Sequence, residues 1–456
     1  MSDTIAAIAT GGSISAIGIV RISGDDALTA ADNVFRATNG TKLKDAENRR
    51  MYYGELLDAA GGLIDLCLCV VSRGPESYTG ENTVEFHCHG SPVVLLEVMR
   101  ALQRFGVRQA KAGEFTKRAF LSGRLDLTQA EAVIDLIESE TPAAARNAAG
   151  QLRGAIGIKM SVVYDTLLDV MAHFHAVIDY PDEDIDEFKL RSYLTSLRDT
   201  ENELRRMLET HKRSRVLRDG IPTAIIGRTN TGKSSLLNAL LGYDRAIVTD
   251  IAGTTRDTIE EKLLAGNVLL RLIDTAGLRK TDETVEKLGV ERTFAALSTA
   301  KLVILVLDGS EPLRDDDYSA LRLIPQDIPK IAVVNKSDLP PALTQAQLDG
   351  LRVKWCRISA LSGEGLDFLV AEISKLFPEF DASPSGELLT NARQAEAIAG
   401  AADSLRLAAV ALADDVTPDA VLTEIEAALA SIGEVTGKSI REDIISRIFE
   451  RFCVGK

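Results

Sequence analysis

Gly227-Arg228-Thr229-Asn230-Thr231-Gly232-Lys233-Ser234 fits the phosphate-loop pattern of glycine, four residues, then Gly-Lys-Ser. The preceding Thr223-Ala224-Ile225-Ile226 reads as a short buried strand and the following Ser235-Leu236-Leu237-Asn238-Ala239-Leu240-Leu241 as a helix. A phosphate in the loop therefore meets a helix N-terminus. Free backbone N–H groups and the positive end of the helix dipole favour an anion there, while Gly227 and Gly232 let the backbone approach it. In this reading Asn230, Thr231, Gly232, Lys233, Ser234 and Ser235 surround the phosphates. Lys233 neutralises the outer ones and Ser234 holds Mg2+.

Working outward, residues 219–378 alternate β and α segments as a doubly wound sheet does, with apolar runs at 269–273, 302–307 and 331–334. Ligands bind beyond the carboxyl ends of such strands. Asp274-Thr275-Ala276-Gly277 follows the first run, which suits a carboxylate reaching Mg2+ through water and a glycine N–H sensing a γ-phosphate. Asn335-Lys336-Ser337-Asp338 follows the third. Asp338 can accept two hydrogen bonds from guanine's ring N–H and exocyclic amine, a pair that adenine lacks, and Ser359-Ala360-Leu361 closes the base pocket. In this order the elements describe a Ras-like GTP-binding domain. After Gly277, Ras-like enzymes place a glutamine that orients water, but this chain has Leu278, so another group is needed. Glu286 is the candidate, with a solvated helix charge as the alternative. The segment Thr249-Asp250-Ile251-Ala252-Gly253-Thr254-Thr255 completes the nucleotide set, with Thr255 a second Mg2+ ligand and preceding carbonyls available to a monovalent cation.

The 456 residues suffice for two to four domains, and 45% hydrophobic with 26% charged content describes an ordinary soluble chain. No apolar run is long enough to span a bilayer and no leader opens the chain, so the expected location is the cytoplasm. A formal charge of −15 excludes bulk electrostatic attachment to nucleic acid, so any RNA contact is local or shared with a partner. The cysteines at 67, 69, 88, 356 and 453 are odd in number and lack zinc spacing. Cys67 and Cys69 fall on one face of a strand and should pack. Glu85-Phe86-His87-Cys88-His89-Gly90 holds too few donors for a metal site.

Residues 1–118 read as an α/β domain, with β-rich runs at 17–22 and 63–71 and helical spacing from Val93 to Leu102. Residues 119–218 form the first part of a helical domain. Thr128-Gln129-Ala130-Glu131 reads as a capping box, and Leu190, Leu194, Leu197, Leu204 and Leu208 form a later apolar stripe. Tyr180–Asp186 reads as an acidic linker, His173 and His175 should pack, and the basic run 211–215 reads as a charged helix end. Residues 379–456 return to helix. Thr417 should cap a helix with Pro418 at its first position, and Leu422, Ile425, Leu429 and Ile432 form its stripe. The GTP domain is thus inserted into one helical domain. Composition alone predicts a frayed end for Arg451-Phe452-Cys453-Val454-Gly455-Lys456.

The order of parts resembles the MnmE (TrmE) family of tRNA uridine modification GTPases. The likeness is carried by Arg21-Ile22-Ser23-Gly24, Tyr78-Thr79-Gly80-Glu81, Gly113-Glu114-Phe115, Arg118-Ala119-Phe120-Leu121, Gly253-Thr254-Thr255-Arg256-Asp257 and Phe452-Cys453-Val454-Gly455-Lys456. The resemblance implies an N-terminal domain that binds 5-formyl- or 5,10-methylene-tetrahydrofolate and dimerises, a helical domain split by the GTPase, and a homodimer partnered by the flavoprotein MnmG in a heterotetramer. It further implies a shared reaction that adds an aminomethyl or carboxymethylaminomethyl group to carbon five of the wobble uridine of certain tRNAs. Carried over, folate would be bound by Arg21, Glu85, Arg124 and Lys456, and K+ by Asn230, Thr249, Ile251 and Thr254. Glu286 would act as general base through water, and Cys453 is the tail's nucleophile candidate. Two departures are the loop from Gly11 to Ala16, where the family has a Pro/Gly-rich loop, and Arg124 where lysine is common. The rival reading, a ribosome-assembly GTPase, shares Gly-Thr-Thr-Arg-Asp but requires an RNA-binding module, and no strongly basic domain or KH-type Gly-x-x-Gly loop is found.

Overall fold

The computed structural model describes residues 3–179, 187–243, 261–273, 296–377, 386–414, 416–439, 445, 448–450, 452 and 454–455. They form two compact units. One comprises Met1–Ile134, Gln151–Glu201 and Ala397–Lys456, the other Asp135–Gly150 and Asn202–Glu396.

The first unit opens with seven strands: β1 (Ile5–Ile8), β2 (Ser15–Ser23), β3 (Phe35–Ala37), β4 (Met51–Leu57), β5 (Leu63–Ser72), β6 (Thr83–Gly90) and β7 (Arg108–Gln109). Their order is β3-β4-β5-β6-β2-β1-β7, antiparallel except for the parallel β1–β7 pair. Side chains alternate across the pleat, so Cys67, Cys69 and Val71 of β5 are buried while Leu66 and Leu68 are exposed. The cysteines pack as expected. The buried face lies under helices α1 (Ala27–Val34) and α2 (Pro92–Arg104), whose Val34, Val98 and Leu102 join Val20, Ile22 and Phe86 in one core. The opposite face leaves Ile17, Met51, Tyr53, Leu66 and Leu68 exposed, with Tyr53 opposite Leu68 and Leu68 opposite His87.

Helix α3 (Glu114–Leu121) crosses the 118/119 boundary read from sequence, so helical structure begins a few residues earlier. It is followed by α4 (Leu127–Ile137), α5 (Pro142–Leu152), α6 (Ala155–Asp179) and α7 (Glu187–Asp219). The capping box sits two residues before the one expected. Asp126 precedes α4, its Oδ1 accepts from the Gln129 N–H at 2.8 Å, and Gln129 Oε1 accepts from the Asp126 N–H at 2.9 Å. Thr128 lies inside the first turn and donates to Asp126 Oδ1 at 2.6 Å. Helix Pro418–Thr436 carries proline at its start and buries Leu422, Ile425, Leu429 and Ile432 as its spacing predicts, packing along α6. The Thr417 hydroxyl makes no capping bond. His173 packs on Tyr193 with ring centroids 4.7 Å apart, whereas His175 is half-exposed, 3.9 Å from Glu426. The 180–186 linker lies outside the described residues. The basic run at 211–215 lies in the last turns of α7, which ends at Asp219.

The second unit holds β8 (Ile221–Ile226), β9 (Glu261–Ala265), β10 (Val268–Leu272), β11 (Leu302–Asp308), β12 (Lys330–Asn335) and β13 (Lys354–Arg357), in the order β13-β12-β11-β8-β10-β9. All pairs are parallel except β9–β10. Such strands are covered on both faces, which is why they read as unbroken apolar runs. Ile304, Val306 and Val333 pack with Leu236, Leu240 and Ile373 on one side, and Val303, Leu305 and Val334 with Ile324 and Leu348 on the other. The order reverses at β8, which has β10 on one side and β11 on the other, and this puts a crevice at its carboxyl end. Among the described residues no helix is long and apolar enough to cross a membrane.

Candidate functional site

The phosphate loop spans the crevice between β8 and helix α8 (Lys233–Tyr243). Gly227 has φ 147 and a Cβ there would lie 2.3 Å from the Val306 carbonyl; Gly232 has φ 91 and would place one 2.2 Å from Asn335 Nδ2. Only glycine fits either position. Asn230 takes φ 62, a left-handed conformation that asparagine tolerates better than most residues. The buried Thr231 hydroxyl donates to the Arg228 carbonyl at 3.0 Å. Lys233 Nζ donates to the carbonyls of Gly227 at 2.8 Å and Arg228 at 2.6 Å, so its charge is held over the loop. Burial, and then the neighbouring Arg228 charge, push the Lys233 pKa below its ordinary value. An anion beside the loop would stabilise the protonated amine. Arg228 is itself anchored away from the loop, donating to Glu311 Oε2 at 2.8 Å.

Asn335 joins this loop to the segment around Ser359 and Ala360. Its Nδ2 donates to the Thr231 carbonyl at 2.9 Å and its Oδ1 accepts from the Ala360 N–H at 3.0 Å, with the residue only 3% exposed. The Ser359 hydroxyl donates to Asp338 Oδ1 at 2.6 Å and the Ser337 N–H donates to the Ile358 carbonyl at 3.0 Å. Asp338 and Leu361 stay exposed, which leaves the carboxylate accessible from solvent. Thus Asn230, Thr231, Gly232, Lys233, Ser234 and Ser235 come together with Asn335, Lys336, Ser337, Asp338, Ser359, Ala360 and Leu361 at the carboxyl ends of β8 and β12.

Sequence reasoning missed Asp308. It ends β11, lies opposite Asn335 in the β11–β12 register, and accepts from Lys336 Nζ at 2.5 Å. The available signal was an acid closing an otherwise wholly apolar buried strand. Outside the described residues lie Thr249, Asp250, Ile251, Ala252, Gly253, Thr254, Thr255, Asp274, Thr275, Ala276, Gly277, Glu286, Cys453 and Lys456.

In the N-terminal sheet, Arg21 Nε donates to Glu85 Oε1 at 2.6 Å, the two residues being opposite each other on β2 and β6. The Arg21 guanidinium lies 5.7 Å from the ring centroids of both Tyr78 and Phe115. Arg124 is exposed, beside Gly80. Glu81, Glu114, Arg118 and Arg108 form one ion network, with Arg118 to Glu81 at 2.9 Å and Arg108 to Glu114 at 2.6 Å. Burial raises the Glu114 carboxyl, but the bonds from Arg108 and the Lys111 N–H, together with the Arg108 and Arg118 charges, outweigh it and hold the group below its usual range. Among the described residues no cluster of His, Cys, Asp and Glu could hold a metal.

The tail departs from the frayed end that composition predicts. Val454 bridges antiparallel to Ala112, and Gly455 is buried with φ 99, where a Cβ would lie 2.5 Å from the Ile8 carbonyl. Phe449 and Phe452 bury against Leu127, Ala130 and Val133, which anchors the segment before it reaches β1. Ile8 pairs with Val20 and Ala7 with Arg21, so Gly455 lies one strand from the Arg21–Glu85 pair.

Two family models match the chain. The GTP-binding protein TrmE N-terminus covers residues 4–124 and the MnmE helical domain covers residues 127–453. The tRNA modification GTPase MnmE of Symbiobacterium thermophilum is 43% identical over 459 residues, covering 100% of this chain and 99% of that one. Its counterpart from Alkaliphilus metalliredigens is 41% identical over 465 residues and covers 100% of both. Among solved structures, the G domain of the T. maritima FeoB iron transporter is 25% identical, covers 35% of this chain and 98% of that chain, and has a TM-score of 0.26. Family matches on both sides of the phosphate loop, and relatives aligned over the whole length, show that the chain belongs to the MnmE family of tRNA modification GTPases.

Proposed function

We propose that this chain binds and hydrolyses GTP and couples that cycle to modification of the wobble uridine of tRNA. With the flavoprotein MnmG, in a heterotetramer, it adds an aminomethyl or carboxymethylaminomethyl group at carbon five, using 5-formyl- or 5,10-methylene-tetrahydrofolate as one-carbon source in the cytoplasm. The observation that carries the GTP half is Asn335, which ties the phosphate loop to the Asp338 pocket through two buried hydrogen bonds. Family membership along the whole chain carries the tRNA half.

In this reading Lys233 neutralises phosphate charge and Asp338 accepts both guanine donors. Ser234, in the first turn of α8, and Thr255 hold Mg2+, while Asn230, Thr249, Ile251 and Thr254 hold K+. Asn230 is exposed on the loop in a left-handed conformation, which leaves it accessible to a cation. Asp274 reaches Mg2+ through water, the Gly277 N–H senses the γ-phosphate, and Glu286 orients water in place of the missing glutamine. These cations supply charge that would stabilise the transferred phosphoryl group.

The folate pocket of this proposal is built on Arg21, Glu85, Arg124 and Lys456, with Cys453 beside it as the catalytic thiol. Arg21 between two aromatic rings, with Glu85 fixing its Nε, suits a planar ligand with hydrogen-bonding edges, and the seated tail at Ile8 supports the nearness of Lys456. The proposed domains are 1–118, 119–218, 219–378 and 379–456. A homodimer is supported by the exposed apolar sheet face at Ile17, Met51, Tyr53, Leu66 and Leu68, which a second copy would cover. Mass spectrometry of wobble uridines from cells lacking the gene tests the proposal. The modified base should vanish and return with the intact gene, and undiminished modification in the deletion would refute it.

A further inference from the structure

We propose that Asp308 is a positioning residue for guanine nucleotides, acting through Lys336 to hold the Asn335–Asp338 turn in the conformation that presents Asp338 to the base. The proposal rests on the GTP-binding reading and deepens it. Lys336 adopts φ 68, in the left-handed region, which is unfavourable for a residue that carries a side chain. Something must hold it there. Its ammonium donates to Asp308 Oδ2 at 2.5 Å, and the Asp308 side chain is 4% exposed against 32% for Lys336.

The acceptor is fixed more firmly than the donor. Asp308 Oδ1 takes bonds from the Ser310 N–H at 2.9 Å and hydroxyl at 2.6 Å, and the next residue, Gly309, donates its N–H to the Asn335 carbonyl at 2.8 Å. Burial alone would raise the Asp308 carboxyl, but the Lys336 and Ser310 bonds outweigh it and hold the group below its usual range. A charged, rigid acceptor at the end of β11 thus faces a strained cation two residues before Asp338. Without it, Lys336 can leave the left-handed region, and the carboxylate that reads two guanine donors shifts with the turn.

The test measures Kd for GDP and for inosine diphosphate, which lacks guanine's exocyclic amine, by titration of fluorescently labelled nucleotide and competition. Asp308→Asn keeps the size and removes the charge. It should raise the Kd for GDP roughly tenfold and lower the preference for GDP over inosine diphosphate, since one reader of the amine is displaced. Lys336→Met removes the same pair from the more exposed side, should reproduce both changes, and serves if Asp308→Asn does not fold. Combining the two should add nothing to Lys336→Met alone. The proposal is overturned if Asp308→Asn keeps native affinity, if both nucleotides weaken equally, or if the two substitutions add. A native protein that binds no GDP at all would instead refute the GTP-binding reading.

Discussion

Asn335→Ala puts the junction between phosphate loop and base pocket to a quantitative test. The side chain is 3% exposed and makes two bonds, from Nδ2 to the Thr231 carbonyl at 2.9 Å and from the Ala360 N–H to Oδ1 at 3.0 Å. Truncation strands one buried acceptor and one buried donor, each costing about 1–3 kcal/mol. The sum, about 2–6 kcal/mol, divides between folding and binding. It falls on folding if both segments are held as tightly without ligand, and on binding if the nucleotide must then order them. If even the lower figure is expressed in binding, the Kd for GDP rises about 30-fold. Fluorescent-nucleotide titration and urea unfolding on the same preparation read the two channels together. Asn335→Asp separates them further, because it keeps an acceptor for Ala360 but sets a carboxylate against the Thr231 carbonyl. It should bind no better than the alanine variant. Native affinity combined with a native unfolding midpoint in Asn335→Ala would refute the reasoning, since two stranded polar groups cannot cost nothing in both states.

Asp338→Asn should weaken GTP and favour xanthosine triphosphate, because an amide can donate to the oxygen that replaces guanine's amine; nucleotide competition reads it, and unchanged guanine preference defeats the base-pocket assignment. Hydrolysis should be much faster in potassium than in sodium and steeply dependent on protein concentration, and Glu286→Ala should keep nucleotide binding while losing turnover. Phosphate release in the two salts measures both, and equal rates would remove the cation mechanism. Removing Cys453 to Lys456 should spare potassium-stimulated hydrolysis and abolish wobble-uridine modification, because the seat of Val454 and Gly455 lies against Ala112 and Ile8, not on the phosphate loop. Normal modification by the truncated protein would show that the seated tail has no part in it.

What the sequence made legible was local chemistry, and what it hid was long-range. The phosphate loop could be read because its glycines answer to neighbours that any such loop has, and the strands of the second unit because burial on both faces leaves unbroken apolar runs. The α4 cap was misread because Asp126-x-x-Gln129 and Thr128-x-x-Glu131 satisfy the same pattern two residues apart. Spacing cannot choose between them; the choice is made by where the helix starts, and that is fixed when Leu127 and Ala130 bury against Phe449 and Phe452 from the far end of the chain. The same contact decides the tail. Six residues with a glycine and two charges have no reason to stay ordered alone, but Gly113, at φ 63, lets the Phe449 carbonyl and Phe452 Cβ come within 2.5 and 2.8 Å of where a Cβ would stand. A glycine more than three hundred positions upstream thus admits the helix end that carries Val454 to Ala112. Asp308 was hidden for a related reason. A lone acid after an apolar run is an ordinary strand end until β11 and β12 lie side by side, and only their register turns it into the counter-charge of Lys336. Motif chemistry can therefore be read one segment at a time, whereas the residues that hold the motifs in place are assigned only when the chain is folded.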